Sequence, residues 1–254
     1  LRTPDDQVLS IDYSSAPPSI FLGSPIKLGD LKIAGLKDKS AKQEKGRHFN
    51  CPRCAARIEI KLQTTQSLTC PSCGSIIDVS QGIGGELRAA EQDEPVKPLI
   101  ALGKRGKFSG SSWQVVGFQH RIGVEPGDDE YFGWDEYLLY HAQQGFQFLV
   151  NSTDGWSLVK TLTGAPQYRA GGGSATWNKQ TYNKQYSYQA ETTYVLGEFY
   201  WPVVRGDTTD NVDFARGQDN VQLLNLEQSR REVNCSMGRK MAPETVAAAF
   251  GMTD

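Results

Sequence analysis

Histidine is scarce in this sequence, and the scarcity narrows the chemistry. Only three are present, and His48, His120 and His141 stand in unrelated contexts, so they do not suggest a shared catalytic or metal centre. Charge of one sign is missing too: 27 basic side chains against 29 acidic ones leave a net charge of -2, which argues against a general polyanion binder. Long apolar runs are absent. Tyr137-Leu138-Leu139-Tyr140 is typical in covering a few residues, where a membrane-crossing helix needs roughly 18 or more. The opening LRTPDDQ has neither a charged n-region nor an apolar h-region and does not begin with methionine, so the start reads as a truncation or a processed end. No nucleophile elbow, P-loop, HExxH or dinucleotide fingerprint occurs. What the sequence does have is 38% apolar residues over 254 positions, enough for the core of one large domain or two ordinary ones.

Cysteine is rare but not scattered. Four of the five lie in CPRC and CPSC, at Cys51, Cys54, Cys70 and Cys73, with fifteen residues between the pairs. A C-x-x-C turn aims two thiolates at one point, and two such knuckles joined by a hairpin place four sulfurs at tetrahedral corners about 2.3 Å from a zinc ion. Pro52 and Pro71 follow the first cysteine of each pair and Gly74 the last, as two similar tight turns require. Between them Arg57-Ile58-Glu59-Ile60-Lys61-Leu62 alternates as a strand with one apolar face, and Ser75 to Val79 suits a returning strand. The pattern predicts a zinc ribbon over residues 49–80. A redox CxxC needs no matching second pair, and neither pair sits in a βαβ pattern. Four sulfur ligands leave the metal no open position, which predicts one structural zinc per chain, and metal-bound thiolates predict a reducing, cytoplasmic compartment. Cys235 stands alone and reads as a buried, inert thiol.

Around the ribbon the sequence divides by texture. Residues 1–36 hold short apolar runs broken by Gly and Pro, as brief strands and turns do. Residues 37–48 are polar and predict an exposed linker. Residues 81–98 form a second linker, with room for a short helix in GGELRAAEQDEP ended by Pro95. From residue 99 to 254 the pattern is an antiparallel β domain. Trp134 to His141, Phe146 to Val150 and Trp156 to Leu162 are separated by turn residues and predict two hairpins. Tyr186, Tyr188, Ala190, Thr192, Tyr194 and Leu196 recur at period two, which predicts a half-buried strand with all six on one face. Only Ala242 to Phe250 has helical spacing, with Pro243 in its first turn. The fold class is mainly β: a zinc ribbon attached to an antiparallel sandwich or partly open barrel, with a short C-terminal helix.

Groups able to do chemistry are thinly spread. Asp135 and Glu136 are neighbours on a predicted strand and point to opposite faces, so they read as a solvated rim and not a catalytic pair. Gly171 to Gly173 lie between β segments and open no helix, so they read as a connector. His48 precedes Cys51 by three residues but finds a full sulfur shell. Nucleic acid is an alternative partner: residues 37–61 carry eight basic against three acidic side chains, and aromatic residues are plentiful from 177 to 201. A four-thiolate zinc centre lowers that local excess, and Asp207, Asp210, Asp213 and Asp219 repel phosphate. A small-ligand binder or cryptic enzyme would need groups such as His120, Arg121 and Asp135 to converge in a pocket.

IDYSSAPPSIFLGSPIKLGDLKI, the CPRC and CPSCGSIIDVS knuckles, PLIALGKRGKFSGSSWQVVGF, WDEYLLYHAQQGFQFLV with DGWSLV, and AETTYVLGEFYWPVVRGD together span most of the chain. In these stretches the sequence resembles a bacterial family, the domain of unknown function 4178. The resemblance implies a β module that is often duplicated with a ribbon ahead of each copy, so residues 1–36 would be the end of a preceding module. It implies no established reaction. Members tend to be encoded near membrane proteins, phage-shock-like coiled-coil proteins and polyamine-related enzymes, which implies an accessory to a membrane-linked system. NCSMGRKMAPETV departs from the family's more aromatic and acidic tail. The expectation is a non-enzymatic interaction or scaffold protein whose partner is another protein. Trp134, Tyr137, Tyr200 and Trp201 are the aromatic candidates for its surface, and core is the commoner fate of such residues.

Overall fold

The computed structural model describes residues 8–12, 17, 19–24, 47–82, 88–92, 95–230 and 232–252. Strands β1 (Val8–Asp12) and β2 (Ser19–Gly23) form a separate antiparallel hairpin. β3 (Arg47–Asn50) and β4 (Arg57–Ile60) pair around the first cysteine knuckle, while β5 (Ser67–Thr69) and β6 (Ile76–Asp78) pair around the second. Phe49, Ile58 and Ile60 alternate onto the buried side of the first hairpin and meet Leu68, Ile77 and Val79 from the second. β7 (Arg88–Ala90) pairs with β6. The short helix that this segment has room for is therefore not formed at these residues, because the β6 edge offers them a hydrogen-bonding partner. Of the polar linker, residues 37–46 lie outside the described residues, and Arg47 and His48 belong to β3.

The β domain opens with β8 (Arg105–Phe108), β9 (Ser111–Val124), β10 (Tyr131–His141), β11 (Gly145–Ser152) and β12 (Gly155–Thr161), each paired with the one before. β13 (Gln167–Tyr168) and β14 (Ser174–Trp177) lead into β15 (Gln180–Phe199), followed by β16 (Thr208–Arg216), β17 (Gln222–Gln228) and β18 (Val233–Met241) in a second meander. Two seams join the meanders. β12 pairs with β18, and the 20-residue β15 pairs with β16 and also with β9. The result is a closed eight-stranded barrel, which corrects the sandwich or partly open barrel expected from the sequence. Closure leaves these eight strands no free edge along their paired lengths.

Side chains alternate across the wall, and one pair shows which set faces the lumen. Arg121 of β9 reaches Glu227 of β17 at 2.7 Å, three strands away around the barrel, a reach that only the interior permits. On that side Leu138, Val195, Phe146 and Phe148 form an apolar floor with Phe199, Tyr200 and Trp201. The outward set is apolar as well: Phe118, Tyr137, Leu139, Leu149 and Trp156 pack with Ile100, Phe108, Val246 and Phe250. Val246 and Phe250 belong to α1 (Pro243–Phe250), the helix expected from residues 242–250, with Pro at its start and Gly251 in the left-handed conformation at its end. One large core thus lies outside the barrel wall, beneath α1 and β8.

β15 does not keep the single period that its sequence suggests. Bulges interrupt its register between Lys184 and Tyr186 and between Thr192 and Tyr194. Tyr188, Ala190 and Thr192 face the lumen, but Tyr194 and Leu196 pass to the outer core and Val195 takes the inner side. One inserted residue exchanges the faces of everything beyond it.

Candidate metal centre

The two knuckles are built by the same hydrogen bonds. Cys51 N–H donates to Ala56 O at 2.8 Å and Ala55 N–H to Cys51 O at 2.9 Å; Cys70 N–H donates to Ser75 O at 2.8 Å and Gly74 N–H to Cys70 O at 2.9 Å. The residue after each pair is left-handed, Ala55 at φ 60 and Gly74 at φ 73. Glycine adopts that conformation freely and alanine does so at a cost, so the first knuckle holds strain that the second avoids. All four ligand atoms lie within 4.8 Å of one another. Across the knuckles, Cys51 Sγ is 3.7 Å from Cys73 Sγ and Cys54 Sγ is 3.7 Å from Cys70 Sγ. A tetrahedron with metal–sulfur bonds of about 2.3 Å has edges of about 3.8 Å, so the spacing fits one ion, whereas a cystine would need about 2.05 Å. The four cysteines predicted as ligands therefore form a potential metal site.

The surroundings separate the thiols. Burial pushes Cys70 up to about 11, whereas the Ser75 hydroxyl and backbone hydrogen bonds bring Cys73 down to about 6. Cys51 and Cys70 are buried and Cys54 is exposed. Arg53 donates to Ser75 Oγ at 3.2 Å and forms an ion pair with Glu91. His48 is exposed on β3 and is not part of the cluster.

A family model described as "Domain of unknown function (DUF4178)" matches residues 101–243, more than half of the sequence. The chain belongs to this family. No curated protein and no solved structure matches it. The DUF4178 stretch starts just before β8 and ends at the first residue of α1, so it takes in the whole barrel, and the cysteine knuckles lie ahead of it.

Within the DUF4178 region the sequence-named polar groups do not converge. His120 Nδ1 and Asp135 Oδ1 pair at 2.8 Å on the outer side of the wall, while Arg121 faces the lumen. Glu136, read from sequence as a solvated rim, is a lumen residue instead. It accepts hydrogen bonds at 2.6 Å from both Gln119 and Trp134 and lies 3.5 Å from Arg121, which also donates to Thr209 at 2.6 Å. Burial would favour a neutral guanidine, yet Glu227 and Glu136 beside it hold Arg121 charged. Further along the lumen, half-buried Asp213 accepts from Asn225 at 2.8 Å and from Tyr188 at 3.0 Å. Sequence reasoning missed this network. Its one visible signal was a charged Arg121 among the buried positions of β9. Among the aromatic candidates, Tyr137 is fully buried and donated to by Leu99 N–H at 3.0 Å, Trp134 is buried in the lumen, and Tyr200 and Trp201 pack on the floor. Tyr137 and Trp134 are core residues, and Tyr200 and Trp201 are half-buried.

Proposed function

We propose that the chain is a non-enzymatic interaction module in which a structural zinc ribbon is built into the sheet of a β-barrel. The observation that carries this reading is the four-sulfur cluster itself, whose donor set fills a tetrahedral shell and leaves an ion no position for substrate. Zinc is the metal this set suits best, since it takes four thiolates without a preferred d-electron geometry. The partner we propose is another protein, in a cytoplasmic and membrane-linked system. No helix of the described residues is long and apolar enough to cross a membrane. The β1–β2 hairpin supports the interaction reading: Ile20, Phe21 and Leu22 are all exposed, among the described residues no third strand pairs with it, and a two-stranded hairpin by itself is marginal in water. Of the eight basic side chains over residues 37–61, Arg53 is engaged by Glu91 and Ser75, which weakens the nucleic-acid alternative.

Elemental analysis of the purified chain is expected to give one zinc per molecule. Affinity purification of the intact protein, beside a Phe21→Asp variant, is expected to recover a partner with the first and lose it with the second. A chain that neither carries nor takes up zinc overturns the metal reading, and equal recovery by both forms overturns the hairpin as the contact.

A further inference from the structure

We propose that the ribbon is a metal-held plug for the barrel: its second knuckle covers the apolar end of the lumen, and metal occupancy decides whether that cover stays in place. This rests on the reading above that the four thiolates hold a metal.

The contacts concentrate on one barrel segment, residues 195–203, where β15 leaves the wall. There β15 takes the ribbon strand β5 as its next neighbour, with Glu198 opposite Leu68 and Phe199 opposite Ser67. Gln66 N–H donates to Phe199 O at 2.8 Å. Ser67 Oγ donates to Trp201 O at 2.8 Å and accepts from Val203 N–H at 3.0 Å. The Glu198 carboxylate gathers the loop between the knuckles, accepting from Lys61 N–H at 3.1 Å, Leu62 N–H at 3.0 Å and Thr65 Oγ1 at 2.7 Å. Gln92 completes the join. Its amide donates to Gly74 O and to Val195 O, each at 2.8 Å, and its carbonyl accepts from Val195 N–H at 2.7 Å.

These anchors flank the ligands. Thr69 precedes Cys70 and donates to Val195 O at 3.2 Å, Gly74 follows Cys73, and Ile76 packs among Leu138, Val195 and Phe199 on the lumen floor. The apolar cluster of Phe49, Ile58, Ile60, Leu68, Ile77 and Val79 joins the two short hairpins, and the bound ion would hold the cysteine turns in shape. Without the ion, the side chains that reach the floor lose the backbone that aims them. The charged Arg121 layer lies above that floor and is held by the barrel's own Glu136, Glu227 and Thr209, so its strands β16 to β18 have no reason to loosen with the ribbon.

The test is site-resolved amide hydrogen exchange on the full-length chain, zinc-loaded and after EDTA. The expected result is that Lys61, Leu62 and Gln66 lose protection together with Val195 and Val203, each exchanging at least about tenfold faster, while β16 to β18 stay protected and added zinc restores the first state. If the chain takes up no metal, both this proposal and the metal reading fall. If it takes up zinc but Val195 and Val203 keep their protection while the ribbon loses its own, the plug alone is overturned. Coupling is reciprocal, so Glu198→Gln should weaken zinc binding about tenfold in competition with a chromogenic chelator; an unchanged affinity in a folded variant also overturns the plug. Should that variant not fold, the wild-type exchange pattern decides.

Discussion

Asp213 shows how a single carboxyl is tuned by where its strand leads. It lies in the lumen, and burial raises its pKa above the ordinary Asp value of about 3.9, with hydrogen bonds from Asn225 and Tyr188 opposing that rise and Asp154 and Glu136 adding to it. For an acid whose folded pKa is raised, the folded state binds the proton more tightly. Stability is then fully present below the unfolded value and is lost as pH rises through the folded one. Asp213→Asn keeps an acceptor for Asn225 and cannot ionise. The variant is expected to be more stable than the wild type at neutral pH by on the order of 1 kcal/mol, and thermal melts should converge below pH of about 4. A gap that persists at low pH would show that the carboxyl is not the cause.

At the scale of the element, β15 decides the architecture. Its length lets it pair with β16, then β9, then β5, and Gly197 stands where the wall hands over to the ribbon. Gly197 has φ +89, and a Cβ there would meet Val116 O at 2.3 Å and Gly117 Cα at 3.0 Å. Backbone cannot step aside as a flexible side chain can. Gly197→Ala is expected to cost at least about 2 kcal/mol, read as a lower urea midpoint with the slope unchanged. The strand itself was legible from the alternation of Tyr186 to Leu196, and so were the hairpins of β10 to β12 and the helix after Pro243. The bulges were not. A bulge is set by the neighbouring strand's register, and local alternation carries no record of it.

On the scale of the whole molecule, the ribbon's second hairpin and the barrel share one sheet, because β5 pairs with both β6 and β15. A ligand that binds only the folded state stabilises whatever unfolds with its site. Calorimetry of the zinc-loaded chain is therefore expected to show the transition of the ribbon and its β15 junction moving upward, stabilised by about 2.7 kcal/mol at a free zinc concentration near 100 Kd. A thermogram that is the same with and without zinc would overturn that linkage.

The sequence by itself determined what short range can encode: the four cysteines of the potential metal site, since a C-x-x-C turn is a local device, and the strands and helix, since their periods are read over a few residues. It also carried the resemblance to the DUF4178 family, which the family model's match to residues 101–243 bears out. Only the tertiary structure decided that the barrel closes, that Glu136 and Asp213 point into its lumen, and that the second knuckle rests on the floor. Each depends on pairings across long separations, such as Glu198 with Thr65 or Arg121 with Glu227, and the energy of burying a charge is settled by which distant partner arrives to meet it.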